Sequence, residues 1–72
     1  MGQDMRYQLI GDTIRTRRVE LKITQEKMAG LLNIATATYS KNEKQAKDIP
    51  LERLFHIALI LNLSAEEILI QK

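Results

Sequence analysis

The sequence contains no cysteine, a single proline, three glycines and only three aromatic residues. Without cysteine the chain has no disulfide and no thiolate metal site, and nothing in the sequence indicates a metal or cofactor. The scarcity of glycine and proline argues against a turn-rich sheet, and the few aromatic side chains leave an aliphatic core dominated by Leu and Ile. The composition therefore predicts a helical protein.

Long apolar runs are also missing from the chain. The longest covers residues 57–61, whereas a membrane-spanning helix needs about 18 apolar residues or more. The first residues do not show the positively charged segment and following apolar stretch that mark a signal peptide, so none is expected. We therefore expect a cytoplasmic protein that does not engage a membrane. With 72 residues, the chain is expected to form one domain over residues 1–72.

The positive charge of the chain is unevenly distributed. The formal net charge is only +2, but eight of the 11 Lys and Arg residues lie between positions 15 and 47. A polyanionic partner would account for this bias, and an ordinary solvated surface is the alternative.

The first predicted helix covers about residues 7–21. Ile10, Ile14 and Leu21 recur on one face of it, as expected for a helix packed on a core. Arg18 falls on the same face. A charge among core positions requires a partner, because an unpaired buried charge is costly.

Two short helices follow, at about residues 25–32 and 36–45. Thr24 is a suitable N-cap for the first of them, and Asn33 suits the left-handed conformation that ends a helix. In the second, Tyr39 is the single large apolar residue. Most of the remaining surface of that helix is polar or small.

The last third of the chain predicts two further helices, within about residues 50–71. Pro50 fits the first turn of the fourth helix, and Asn62 is expected to end it. Ser64 with Glu67 forms a capping box that starts the fifth. The apolar face of the fourth helix is formed by Leu51, Leu54, Ile57, Ala58 and Leu61. Five short helices with short connections predict an all-α, compact five-helix bundle.

Residues 24–45 carry the functional signal: two short helices joined by a tight turn, the second helix polar on most of its surface. A helix with so little apolar surface gains little from packing, so its presence suggests that it is displayed to a binding partner. The face opposite Tyr39 carries Thr36, Ala37, Ser40, Lys41 and Lys44. These residue types suit reading of the DNA major groove, although an ordinary solvated face is the alternative.

The stretch from Ile10 to Leu69 resembles the Cro- and phage-repressor-type helix-turn-helix domains, also called the Xre family. The resemblance rests on three pieces in order, IGDTIRTRRVELKITQEKMAGLLNI, ATYSKNEK and IPLERLFHIALILNLSAEEIL. It implies a bundle of the lambda-repressor-like type and sequence-specific binding of double-stranded DNA. The implied role is that of a transcriptional regulator, a repressor or controller.

The resemblance also implies roles for individual residues. The expected base readers are Thr36, Ala37, Ser40 and Lys41, and the expected phosphate contacts are Gln25, Lys44 and Lys47, with Arg15 and Arg17 as weaker candidates. In this family an Arg near the end of the first helix pairs with a Glu late in the third, here Arg18 and Glu43. The core position of Arg18 agrees with that pairing, as does the position of Glu43 one helical turn after Tyr39.

The chain departs from the family pattern at three positions. Asn33 and Ala35 stand where Gly and Ser or Thr are usual, and Gln45 stands where Gly is usual. Without a Ser cap at position 35, we expect Thr36 to cap the third helix, which would shift its start by one residue. Gln45 leaves the geometry of the 44–49 loop open.

The last two helices carry more apolar residues than a small bundle needs. This surplus predicts a homodimer that reads a palindromic operator, with partial burial as the alternative. The expected dimer surface consists of Leu59, Ile60, Leu63, Ile68 and Ile70. A third interpretation is an antitoxin-like module that binds a toxin partner and autoregulates its operon.

Enzymatic chemistry is not expected. His56 has no histidine or cysteine partner, and the adjacent Glu66 and Glu67 diverge on a helix, so they do not form a catalytic pair. The sequence also contains no phosphate-binding glycine loop and no nucleophile elbow.

Overall fold

A computed structural model describes the backbone of residues 5–69, and the side chains of residues 7–64 and 66–68. Within this part of the chain there are five α-helices and one 3₁₀ turn. They are α1 (Met5–Glu20), α2 (Gln25–Leu32), α3 (Thr36–Lys44), the 3₁₀ turn (Ala46–Asp48), α4 (Leu51–Leu61) and α5 (Ala65–Leu69). The all-α class predicted from the sequence is confirmed.

The side chains and backbone at the helix ends follow the local sequence signals. The Thr24 hydroxyl accepts the backbone N–H of Lys27 at 3.0 Å, at the start of α2. Asn33 and Asn62 end α2 and α4 in the left-handed conformation, with φ of 59° and 57°. Both predicted helix ends are confirmed, because each depends on short-range chemistry that the sequence shows directly.

The capping box before α5 is also present. The backbone N–H of Ser64 donates to the Glu67 carboxylate at 2.6 Å, and the backbone N–H of Glu67 donates to the Ser64 hydroxyl at 3.1 Å. This reciprocal pair satisfies two N–H groups that a helix start leaves without internal partners.

Two helix starts differ from the prediction. Ala35, not Thr36, is the N-cap of α3, and it makes no side-chain cap hydrogen bond. Thr36 is therefore the first helical residue, and the Tyr39 backbone N–H donates to the Ala35 carbonyl at 3.1 Å as the helix begins. Pro50 occupies the N-cap position of α4 rather than its first turn, so α4 begins one residue later than expected.

Two residues assigned to inward faces are exposed. Leu21 was expected on the face of α1, but the helix ends at Glu20 and Lys22 turns the chain with a φ of 59°, so Leu21 remains 45% exposed. Leu51 was expected on the inner face of α4, but it is the first residue of that helix and is exposed. The helical repeat predicts burial wrongly at both residues, because each lies at or just beyond the end of a helix, where the chain no longer follows the repeat.

The described residues enclose an aliphatic core to which every helix contributes. Its buried members are Ile10, Ile14, Met28, Ala29, Leu32, Tyr39, Ala46, Ile49, Leu54, Ile57, Ala58, Leu61 and Ile68. Tyr39 is the only one from α3, which leaves the rest of that helix available for other contacts. Over residues 5–69, no helix is both long and apolar enough to cross a membrane.

Candidate nucleic-acid interface

The helix α3 is divided into a buried face and an exposed face. Tyr39, Asn42 and Glu43 point inward and are buried. On the other side, Thr36, Ala37, Lys41 and Lys44 are exposed, and Ser40 is half-buried. The structure thus brings the predicted base-reading residues together on one outer surface. This surface offers hydroxyl, methyl and ammonium groups, which are the groups that read base edges in a major groove.

A hydrogen-bonded network centred on the Glu43 carboxylate holds α3 in place. Arg18 donates to it through Nε at 2.6 Å and through Nη2 at 3.3 Å. The Tyr39 hydroxyl donates to it at 2.5 Å, and the Gln25 side-chain amide donates at 3.1 Å. Arg18 also donates to the Ile23 carbonyl at 2.7 Å. One carboxylate therefore joins α1, α2 and α3.

The network changes the pKa values of its members. Burial by itself raises the pKa of Glu43, but the hydrogen bonds from Arg18, Tyr39 and Gln25 outweigh it, and the pKa lies below its ordinary value. The hydrogen bond to Glu43 raises the pKa of Arg18. Burial, together with the hydrogen bond to Glu43, raises the pKa of the Tyr39 hydroxyl. The carboxylate is thus ionised and the phenol neutral at neutral pH.

A second contact ties α3 to α4. The Arg53 guanidinium donates through Nη1 to the side-chain carbonyl of the buried Asn42, at 3.0 Å. This pair is not evident from the sequence. The sequence shows only that Asn42 is a polar residue next to Glu43, and it does not indicate Arg53 as the partner of Asn42.

The backbones of α1 and α3 touch at Gly11. A Cβ atom built at this position would overlap the backbone carbonyl of Glu43. Only glycine allows the two helices to approach this closely without a shift. Gly11 therefore supports the Glu43 network from the backbone side, a role that sequence reasoning missed.

Four of the predicted DNA-contacting residues line a single open cleft between the first three helices. Arg15, Gln25, Ser40 and Lys44 surround it, and Glu43 forms part of its wall together with Gln8 and Asp12. Arg15 and Lys44 are exposed, whereas Gln25 is half-buried. Because Gln25 donates to Glu43, its carboxamide has a defined orientation at the first residue of α2.

Arg17 does not line this cleft, and its contacts favour a structural role over the expected phosphate contact. Its guanidinium donates through Nε to the Leu61 carbonyl at 3.0 Å and through Nη2 to the Asn62 carbonyl at 3.1 Å. It also lies 3.8 Å from a Glu20 carboxylate oxygen. A cation at the C-terminal end of a helix is favourable, so Arg17 joins α1 to the end of α4.

The predicted dimer residues fall into different environments. Leu59 is exposed, whereas Ile60 and Leu63 are half-buried and pack against the core. Ile68 is only 1% exposed, so its assignment to a dimer surface is wrong: it is a core residue. Ile70 lies outside the described residues. Lys47, assigned to phosphate, is exposed on the 3₁₀ turn.

A family model described as helix-turn-helix matches residues 14–68. Neither the search of curated proteins nor the search of solved structures returned a significant match. The matched range includes α2, α3 and every residue assigned to DNA contact. The chain belongs to the helix-turn-helix family of the Cro- and phage-repressor type, which consists of DNA-binding transcription regulators.

Proposed function

We propose that this helix-turn-helix protein acts as a repressor or controller of transcription, by placing α3 in the major groove of a specific DNA site. The observation that carries the proposal is the division of α3 into a buried face, fixed by the Glu43 network, and an exposed polar face. A reading helix must be rigid, because a loosely held one cannot distinguish base pairs by hydrogen-bond geometry.

The proposed base readers are Thr36, Ala37, Ser40 and Lys41. The Lys41 ammonium can donate to the O6 and N7 atoms of guanine, and the hydroxyls of Thr36 and Ser40 can bond to several base edges. The Ala37 methyl can contact the methyl group of thymine. Lys41 is thus the one residue in this set with a definite base preference.

The proposed phosphate contacts are Arg15, Gln25, Lys44 and Lys47. Gln25 is the first residue of α2, where free backbone N–H groups favour an anion. Its hydrogen bond to Glu43 leaves a second amide hydrogen available for a phosphate oxygen. The cations at Arg15 and Lys44 lie beside the same cleft. A phosphate there would fix the position of α3 in the groove.

We further propose that the protein binds as a homodimer to a palindromic operator. A two-fold dimer of such domains places two reading helices in successive major grooves, about 34 Å apart. Such a regulator works in the compartment that holds the DNA, in agreement with the expected cytoplasmic location.

Selection of bound duplexes from a random DNA pool tests the proposal. We expect a palindromic consensus in which each half-site contains a guanine contacted by Lys41. Recovery of random sequences at moderate salt would contradict sequence-specific regulation, and recovery of an unpaired half-site would contradict the homodimer.

A second candidate function is that of an antitoxin which binds a toxin and autoregulates its operon. The observation that favours it is the exposed apolar side chain of Leu59, together with those of Leu51 and Phe55 on the same helix. Co-expression with the products of neighbouring genes distinguishes the two functions. A stand-alone regulator would not co-purify with any of these gene products, whereas an antitoxin would co-purify with a toxin and relieve its toxicity.

A further inference from the structure

Three large apolar side chains form an exposed ridge along α4. Leu51 is 61% exposed, Phe55 49% and Leu59 79%. They are spaced four residues apart, so they lie along one side of the helix. In the described part of the chain, the other large exposed apolar residues are Tyr7, Val19, Leu21 and Leu31, none of which lies on α4. We call Leu51, Phe55 and Leu59 the α4 stripe.

We infer that the α4 stripe is the contact with a second copy of the chain, packed antiparallel about a two-fold axis at Phe55. The inference rests on the proposed function and deepens it, because it names the surface that pairs the two reading helices. It replaces most of the dimer surface expected from the sequence, of which it retains only Leu59.

The spacing of the α4 stripe supports an antiparallel two-fold arrangement. Phe55 lies midway between Leu51 and Leu59, so a half-turn about Phe55 places Leu51 of one copy beside Leu59 of the other. A two-fold contact requires such a self-complementary patch, because both copies present the same residues. The large aromatic side chain then meets its own copy at the centre of the contact.

The charges beside the α4 stripe are complementary under the same rotation. Glu52 and His56 are both exposed and occupy the side of the stripe away from the core residue Ala58. The half-turn about Phe55 brings Glu52 of each copy near His56 of the other. The imidazole can donate a hydrogen bond to the carboxylate, and this contact occurs twice in the dimer.

The small size of the α4 stripe determines how strong the contact is. Stable complexes usually bury about 800 Å² on each partner, and three partly exposed side chains provide much less. The free protein is therefore expected to be mainly monomeric, and the second copy to assemble on DNA, where adjacent half-sites raise the effective concentration. Dimerisation would then appear as cooperativity between half-sites.

The helix that carries the stripe is also coupled to the reading helix. Arg53 of α4 donates to Asn42 of α3 at 3.0 Å. A contact made through α4 therefore fixes the position of α3 in both copies, and with it the spacing of the two half-sites. A flexible connection would not transmit a defined spacing.

Cysteine cross-linking tests the arrangement, because the natural chain has no cysteine. At high protein concentration, where the weak contact is populated, Phe55→Cys should form a disulfide with its own copy under mild oxidation, and an equal mixture of Leu51→Cys and Leu59→Cys should cross-link. Each of those two alone should link slowly, since a disulfide requires Cα atoms within about 7 Å. Val19→Cys, exposed on α1, is the matched control.

Equal linking rates for Phe55→Cys and Val19→Cys would overturn the inference. Self-linking of Leu51→Cys and Leu59→Cys, without linking in the mixture, would overturn the antiparallel arrangement. If the cysteine variants of the α4 stripe cross-link to a different protein and not to one another, the stripe does not bind a second copy of the chain.

Binding to a selected duplex separates this inference from the proposed function. With one half-site, Leu59→Ser should bind as the wild type does. On the full palindrome it should lose at least ~10-fold in affinity through lost cooperativity, whereas Val19→Ser should lose none. If Leu59→Ser binds the full palindrome with the cooperativity of the wild type, the inference about the α4 stripe is overturned and the proposed function is not affected. A failure of the wild type to select any sequence would overturn the proposed function, while the cross-linking result would stand.

Discussion

Glu43 is the residue through which three helices are held together. Its carboxylate accepts hydrogen bonds from Arg18, Gln25 and Tyr39, and its backbone carbonyl lies against Gly11. Because the group is buried and charged, each of these donors offsets part of the cost of removing it from water. The orientation of the reading helix therefore depends on a few hydrogen bonds rather than on apolar packing alone.

A double-mutant cycle on Arg18→Met and Glu43→Gln should give a large coupling energy. Breaking one member of a buried pair costs about 3–5 kcal/mol, which is comparable to the whole stability of a small domain. The measurement is the free energy of unfolding, by urea denaturation with a stabilising osmolyte present. Arg17 and Glu20, which are 3.8 Å apart on the surface, provide the matched control pair. A coupling no larger than that of this control would contradict a structural role for the buried pair.

The lowered pKa of Glu43 predicts a loss of stability in acid. The ordinary value is 4.5 and the folded value is lower, so the unfolded chain binds the proton first as the pH falls. The stability from Glu43 should be complete above the ordinary pKa and be lost as the pH falls through the folded pKa. The measurement is the unfolding free energy against pH.

Two variants control this pH measurement. Glu67 also has a lowered pKa, because it accepts the Ser64 backbone N–H, so Glu67→Gln should retain the part of the acid loss that comes from Glu43. The double variant Arg18→Met with Glu43→Gln should lose that part. An unchanged pH dependence in the double variant would assign the acid loss to other groups.

Replacement of Lys41 separates base reading from simple charge. Lys41→Ala should cost about 1–3 kcal/mol on the selected site and much less on random DNA. Lys47→Ala should weaken both duplexes equally, because a phosphate contact is independent of sequence. Fluorescence anisotropy with the two duplexes provides the measurement. If Lys41→Ala loses the same affinity for the selected site and for random DNA, Lys41 contacts a phosphate and does not read a base.

The helices show how far sequence reasoning reaches. The ends of α2 and α4 were predicted because Thr24, Asn33 and Asn62 act on backbone groups within a few residues of themselves. The inward face of α4 was mostly predicted, since Leu54, Ile57, Ala58 and Leu61 are buried. These features depend on local chemistry and on the helical repeat.

The missed features depend on contacts between elements that are distant in sequence. Arg17 reads as a surface cation until α4 places the Leu61 and Asn62 carbonyls against it. Asn42 likewise gains its role only from Arg53 on another helix. The predicted dimer surface failed at Ile68 for a related reason, because a five-residue helix that packs on α1 and α4 buries its apolar side chain.

The two helical glycines make a matched test of how α1 and α3 pack. Gly11→Ala should lower the free energy of unfolding, although alanine favours a helix, because the new Cβ overlaps the Glu43 backbone carbonyl. Gly30→Ala, with nothing within 4 Å of the new atom, should raise it by about 0.5–1 kcal/mol. Thermal unfolding measures both. Stabilisation by both substitutions would show that α1 and α3 are not in backbone contact.

The whole molecule carries a net charge of only +2, so its affinity for DNA depends on where the cations lie. Arg15 and Lys44 lie beside the cleft next to α3, whereas Arg17 is engaged at the end of α4. Two arginines separated by one residue thus have different roles: one faces the proposed duplex and the other holds two helices together.

The salt dependence of binding distinguishes these two arginines. Each neutralised phosphate contributes about −0.9 to the slope of log K against log salt concentration. On a single half-site, Arg15→Gln should therefore make the slope less negative by about one, with the unfolding free energy little changed. Arg17→Gln should leave the slope unchanged and lower the unfolding free energy, because the Leu61 and Asn62 carbonyls lose their donor. Equal effects of the two variants on the slope would place Arg17 at the DNA after all, and an unchanged slope in Arg15→Gln would remove the cleft from the interface.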